Sequence, residues 1–245
     1  SNLMYKLLAP CLLLALAPPC WAQAKQPEPD SAAAQLAGKK AIDLYHKALG
    51  NQAHIYNGSE YVDYELKKEG HQYFLTNQWT YGTITYGGLE YTNIPMLYNL
   101  ETDDVIIGQF SEAGRFNQIK LNRQQVSGFT FGGNRFVHLR NHSDLEHGFY
   151  QELYTGHVQV LARRRKEYKR DVVTLSFPEK DTYYLFVDGK YHEVKSKASV
   201  MKVLKEHKRE LAAYLRANNI VFAQNREQAL SQLAAQYDVL TQASR

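Results

Sequence analysis

From about Glu60 to Val194 the hydrophobic and polar positions alternate with a period of two. The runs YVDYEL, HQYFLT, YGTITYGG, LEYTNI, PMLYNL, DVIIGQF, RFNQIKL, VSGFTF, NRFVHL, GFYQELY and HVQVLARR are rich in Tyr, Phe, Val, Ile and Thr, and Gly, Asn, Asp or Ser separates most of them. Strand side chains point alternately to opposite faces, so this pattern predicts a long antiparallel meander of roughly ten to twelve strands with short turns. TYYLFVDGKYHEV adds a hairpin on Asp188-Gly189, a pair that tolerates positive φ. So many strands do not stay flat, and a curled sheet is expected, either a partial barrel or two layers.

Outside this region the period changes to that of a helix. Ile42, Tyr45, Ala48 and Leu49 predict a helix over 32–50, stopped at Gly50. Val200, Val203, Leu204, Leu211, Tyr214 and Leu215 form the apolar stripe of a second helix, opened near Ser196 or Ser199 and stopped at Asn218-Asn219. IVFAQ reads as an extended link. Asn225, with Gln228 three residues on, caps a third helix whose stripe is Leu230, Leu233, Ala234, Tyr237 and Leu240. The fold class expected is α+β, mainly antiparallel β, with one N-terminal helix and two C-terminal helices on the sheet.

The first residues do not belong to that domain. Met4-Tyr5-Lys6, the apolar run from Leu7 to Ala17, and Ala22-Gln23-Ala24 have the layout of a Sec-type signal peptide cleaved after Ala24. The run is short for a spanning helix and is interrupted by Pro10, Pro18 and Pro19. Lipidation at Cys20 is the rival reading, disfavoured by Pro18 and Pro19 where a lipobox has small residues. The organisation expected is 1–24 signal peptide, 25–31 polar tether, and 32–245 a single domain (32–50 helix, 55–195 meander, 196–245 helical tail). Both cysteines, Cys11 and Cys20, lie in the leader. The processed chain would then be cysteine-free, without disulfide, Cys nucleophile or Cys-ligated metal. An exported cysteine-free domain suits a periplasmic or extracellular protein of a Gram-negative cell envelope.

Composition narrows the function classes. With 44% hydrophobic and 22% charged residues the chain is neither collagenous nor wholly disordered. A net charge of +4 does not call for a nucleic acid. Charge is segregated, however. Residues 57–112 carry nine acids and two bases, whereas 157–170 carry six bases and one acid. The two stretches would attract each other within the fold or meet different partners.

Three candidate sites follow. Arg163, Arg164, Arg165 and Lys166, with Lys169 and Arg170, continue the strand that begins at His157. Both faces of that strand become basic at once, so it is expected to project beyond the core and to clamp phosphate or carboxylate groups of an acidic partner. The competing reading is a solvated edge that charge protects from strand pairing. Trp79 and Tyr81, near Tyr86 and Tyr91, are candidates for stacking on a ligand, although tyrosine also simply suits half-buried strands. His138, His142 and His147, with Asp144 and Glu146, are metal-ligand residue types within ten positions, but their spacing matches no known ligand class and a polar loop is the default. No phosphate-binding glycine loop, nucleophile elbow or EF-hand loop occurs, and no cofactor is implied.

NGSEY at Asn57–Tyr61, GTITYGGLEYTNIPMLYNLETDDVI at Gly82–Ile106, GFYQELYTG at Gly148–Gly156 followed by VLARRRK, and the AAQYDVL tail together resemble an uncharacterised exported envelope protein family of Gram-negative bacteria. That resemblance implies an envelope location, and, since the family has no assigned reaction, it carries over no catalytic residue. The function expected is a non-enzymatic envelope protein that binds a glycan, lipid or protein partner. Two alternatives remain: a carboxylate- or metal-dependent periplasmic hydrolase, and a periplasmic lipid carrier with the sheet as a cup. A transmembrane barrel fits the alternation but not the helical tail.

Overall fold

The structure, a computed structural model, describes residues 55–63, 68–110, 114–172 and 174–243. The expected signal peptide 1–24, tether 25–31 and helix 32–50 lie outside the described residues. Among the described residues fourteen strands are present: β1 (Ser59–Glu60), β2 (Lys68–Glu69), β3 (Thr80–Tyr86), β4 (Leu89–Asn99), β5 (Asp104–Phe110), β6 (Phe116–Lys120), β7 (Val126–Phe131), β8 (Asn134–Leu139), β9 (Gly148–Thr155), β10 (Gln159–Arg163), β11 (Lys169–Arg170), β12 (Leu175–Ser176), β13 (Thr182–Val187) and β14 (Lys190–Glu193). Three helices follow: α1 (Lys197–Val203), α2 (Lys208–Ala217) and α3 (Arg226–Ala243).

Eleven strands form one open antiparallel sheet in the order β1-β6-β5-β4-β3-β7-β8-β9-β10-β13-β14. The fold is thus α+β and mainly antiparallel, as the alternation predicts. The turns are where the sequence puts them. Gly87-Gly88, Gly132-Gly133 and Asp188-Gly189 all have positive φ, the backbone that two-residue hairpin turns require. After β6 the chain returns to pair β7 with β3, so the sheet grows in both directions from β3.

Four local expectations are corrected. HQYFLT is not a strand, because Leu75 adopts φ +56 and only Tyr73 bridges to Asn99. A second sheet of three short strands, β11-β12-β2, contains a parallel pair, β12 with β2, that the meander does not anticipate. The stripe from Val200 to Leu215 is split into α1 and α2 by Leu204, whose ψ of 44 leaves the helix, followed by a 3₁₀ turn at Lys205–His207. IVFAQ is a turn rather than an extended link. The caps are as expected. Ser196 and Ser199 close a capping box on α1, and the Gln228 backbone N–H donates to Asn225 Oδ1 at 3.1 Å ahead of α3.

Alternation sorts side chains into cores. Ile84, Tyr86, Met96, Tyr98, Phe129 and Phe136 belong to one aromatic core, in which Phe129 stacks on Phe136 at 4.8 Å and Tyr98 meets Phe129 edge-on at 5.0 Å. Val158, Val160, Ala162, Tyr183, Leu185 and Val187 make a second core with the three helices. Leu161 points the other way, into a smaller cluster with Leu145 and Tyr150. No described helix is long and apolar enough to cross a membrane.

Candidate binding cleft

The basic run sits at the end of β10, and alternation sends its members to opposite sides. Arg163 shares the side of Leu161. It is only 4% exposed, and its Nη2 donates to Asp103 Oδ2 at 2.9 Å and its Nη1 to the Phe149 carbonyl at 2.6 Å. Asp103, at φ +59 in the β4–β5 turn, also accepts from the Tyr98 hydroxyl at 2.6 Å and from the Phe149 backbone N–H at 3.3 Å. Gly148 leaves room for this: a Cβ there would stand 2.3 Å from Arg163 Nη2 and 2.4 Å from Asp103 Oδ2. Burial pulls the Arg163 guanidinium down, but the Asp103 charge and hydrogen bond outweigh it and raise its pKa.

Arg164 faces the other way. It is 8% exposed, its Nε donates to Gln151 Oε1 at 2.7 Å, and its two Nη atoms grip Glu227 of α3 at 2.6 and 2.9 Å. It also pairs closely with Asp181, and Tyr183 donates its hydroxyl to Glu227 at 2.8 Å. The fork-to-fork geometry matches the planar guanidinium to the carboxylate. Burial raises Asp181 despite the Arg164 charge. Burial also acts to raise Glu227, but the hydrogen bonds from Arg164 and Tyr183 prevail and hold it low.

The expectation that Arg163 and Arg164 project into solvent is therefore corrected. Carboxylates at positions 103, 181 and 227 reach the strand end from distant parts of the chain and bury both arginines in ion pairs. The same correction applies to Lys166, whose side chain is only 9% exposed, and of the four only Arg165 keeps an open side chain. The Arg165 side chain is 44% exposed, with Glu146 Oε2 at 3.3 Å. Lys166 Nζ donates to the carbonyls of His71 and Tyr73 at 2.9 and 3.0 Å and lies 3.8 Å from Glu179. Burial lowers the Lys166 pKa.

Arg165 and Lys166 open onto a cleft of about 560 Å³ together with Lys169, Lys180, Tyr168 and Tyr184. Glu101, Glu146 and Glu167 also line it, so cations outnumber carboxylates even with the neutralised Arg163 left out. Glu167 is engaged by Lys180, whose side chain is nevertheless well exposed, and the Lys180 charge and hydrogen bond lower the Glu167 pKa. Lys169 makes no ion pair among the described residues. Lys180, Tyr168 and Tyr184 are absent from the sequence-derived site. The signal for Lys180 was strand pairing. Arg163 opposes Thr182 across β10 and β13, and the Lys180 N–H donates to the Arg165 carbonyl at 2.9 Å.

A second cavity, about 480 Å³, lies where Arg164 and Lys166 face Glu179, Asp181, Glu227 and His71. Trp79 and Tyr81 line neither cavity. The histidines are not gathered either: among the described residues no three His, Asp or Glu side chains form a group that could hold a metal ion. His138 holds Nδ1 2.8 Å from the Val126 carbonyl, His142 packs edge-on against Tyr191, and His147 offers its carbonyl to Arg163 at 3.5 Å.

In comparison with known proteins, no family model, no curated protein and no solved structure matches this chain.

Proposed function

We propose that the protein is a non-enzymatic binding component of the Gram-negative cell envelope, exported through its N-terminal leader, and that the cleft beside β10 takes the phosphate or carboxylate groups of an acidic glycan or lipid head group. One observation carries this reading. Arg165, Lys169 and Lys180 are gathered around one concave site with Tyr168, while the neighbouring Arg163 and Arg164 are neutralised internally and hold the strand end in place. Preorganised cations in a cleft recognise anionic groups with little reordering. The envelope location rests on the leader pattern and the family resemblance, and a ligand with phosphate or carboxylate groups is common chemistry there.

Charge reversal tests it. Arg165→Glu with Lys169→Glu alters two exposed side chains and is expected to leave the melting temperature near that of the parent. Binding of the full chain to oligogalacturonate, or to phosphatidylglycerol vesicles, is expected to fall at least about tenfold and to lose much of its salt dependence. Loss with only one probe would tell a carboxylate ligand from a lipid phosphate. Affinity unchanged for both, or no binding by the parent, would overturn the proposal.

A further inference from the structure

The side of β3 turned away from the aromatic core carries a second surface that the cleft does not use. Ile84 and Tyr86 enter the core, so Tyr81, Thr83 and Thr85 share the opposite face. Tyr81 is 64% exposed. On the same face Trp79 joins Leu97 and Ile106 and meets Phe116 edge-on at 5.0 Å, and Phe116 meets the exposed Phe110 at 5.0 Å. The tip of the Phe116 ring covers Gly108, where a Cβ would stand 2.3 Å from it. The result is a row of aromatic rings across three strands.

Next to this row the sheet is polar and indented. Thr83 opposes Thr130, which opposes Arg135, and Thr85 opposes Gly128. With Glu90 they line a depression of about 240 Å³. Gly128 supplies no side chain to fill it. Arg135 is paired with Glu152 at 2.7 Å, which offsets its charge. One face thus offers rings, and then, one two-residue step of about 7 Å along β3, a hydroxyl-lined hollow.

That combination fits a sugar. A pyranose with equatorial hydroxyls has a face of axial C–H bonds that stacks on an aromatic ring, and its rim of hydroxyls both donates and accepts hydrogen bonds, as threonine does. A folded protein partner would need a broader apolar centre than this broken row of rings provides. We infer that this face is a carbohydrate-binding surface for a β-linked chain of equatorial pyranoses, with one ring stacked on Tyr81 beside Trp79 and the next hydrogen-bonded by Thr83, Thr85 and Thr130. It is separate from the basic cleft in both residues and chemistry.

The chain has two tryptophans, so Trp21→Phe makes Trp79 the only fluorescent indole in the full-length protein. Titration of this variant with cellohexaose and with the β-1,4-linked N-acetylglucosamine hexamer is expected to give a saturable blue shift with at least one of them. Tyr81→Ala is expected to weaken that binding about tenfold. Thr83→Val with Thr130→Val, which keeps shape and strand preference, is expected to weaken it several-fold, roughly the loss of two hydrogen bonds. The Arg165→Glu, Lys169→Glu pair is expected to leave it unchanged, which separates this surface from the cleft. Absence of any saturable response to both oligosaccharides, or equal binding by Tyr81→Ala, would overturn the inference.

Discussion

Asp103 and Arg163 lie sixty positions apart and meet where almost no water reaches them. Around them Tyr98, Phe149 and Gly148 fill their hydrogen-bonding and steric roles. Removing one member of such a pair leaves the other charge buried and uncompensated, which costs about 3–5 kcal/mol. Arg163→Met is therefore expected to lower the urea-unfolding stability by that amount, and Arg163→Met with Asp103→Asn to recover part of it. A cost below about 1 kcal/mol for the single variant would contradict the buried pair. At this scale the sequence was half legible. RRRK announced cations on both faces of a strand, and alternation does send Arg163 and Arg164 opposite ways. Their neutralisation was hidden, because each carboxylate comes from another part of the chain: Asp103 from the β4–β5 turn, Asp181 from just ahead of β13, and Glu227 from α3.

Among the elements, hairpins are legible in the sequence because their determinants are local. Gly87-Gly88, Gly132-Gly133 and Asp188-Gly189 each fix a turn with residues inside the turn itself. The docking of α3 depends on contacts far apart in sequence. Asp238 of α3 accepts from the backbone N–H of His157 at 2.8 Å, that of Val158 at 3.0 Å and the Tyr154 hydroxyl at 2.9 Å. Gly156 permits this approach, since a Cβ there would stand 2.1 Å from Asp238 Oδ2. A charged residue on the apolar stripe side of a helix would look like a defect from sequence alone. Here it satisfies the β9–β10 turn. Asp238→Ala leaves those donors without their acceptor, and a destabilisation of about 2–4 kcal/mol is expected, with faster hydrogen exchange in α3 and in residues 156–158. Exchange in α3 equal to that of the parent would argue against this docking role. Breaks in regular structure, by contrast, carry no such local signal. Leu75 takes positive φ without being Gly, Asn or Asp, and nothing in HQYFLT announces it.

For the molecule as a whole, the segregation of acidic and basic stretches has a structural counterpart. Asp103 of the acidic stretch and Arg163 of the basic one form a buried pair. Lys169 of the basic stretch lines the cleft beside the exposed Arg165. The sequence marks Trp79 and Tyr81 as stacking candidates, but their common sheet face and the hydroxyl-lined hollow beside it follow only from the strand pairing of β3 with β4, β7 and β8. The tyrosines also set a limit at high pH. Burial pushes Tyr183 up to about 12 and raises Tyr98, Tyr150 and Tyr184 as well. In the unfolded chain these hydroxyls ionise near their ordinary value of 10. Their contribution to stability is complete below that pH and is lost as the pH rises through the folded values. Stability is therefore expected to fall between pH 10 and about 12, with late tyrosinate absorbance appearing together with loss of the sheet signal. Tyrosinate forming fully near pH 10 in a still-folded protein would contradict the burial of these rings.

Lysine footprinting tests the binding cleft most directly. The full chain is acetylated with and without inorganic polyphosphate, and each lysine is read by mass spectrometry. Lys169 and Lys180 are expected to be protected by the polyanion, while Lys195 and Lys202, outside the cleft, are modified as before. Protection of all four alike, or of none, would contradict an anion-binding cleft beside β10.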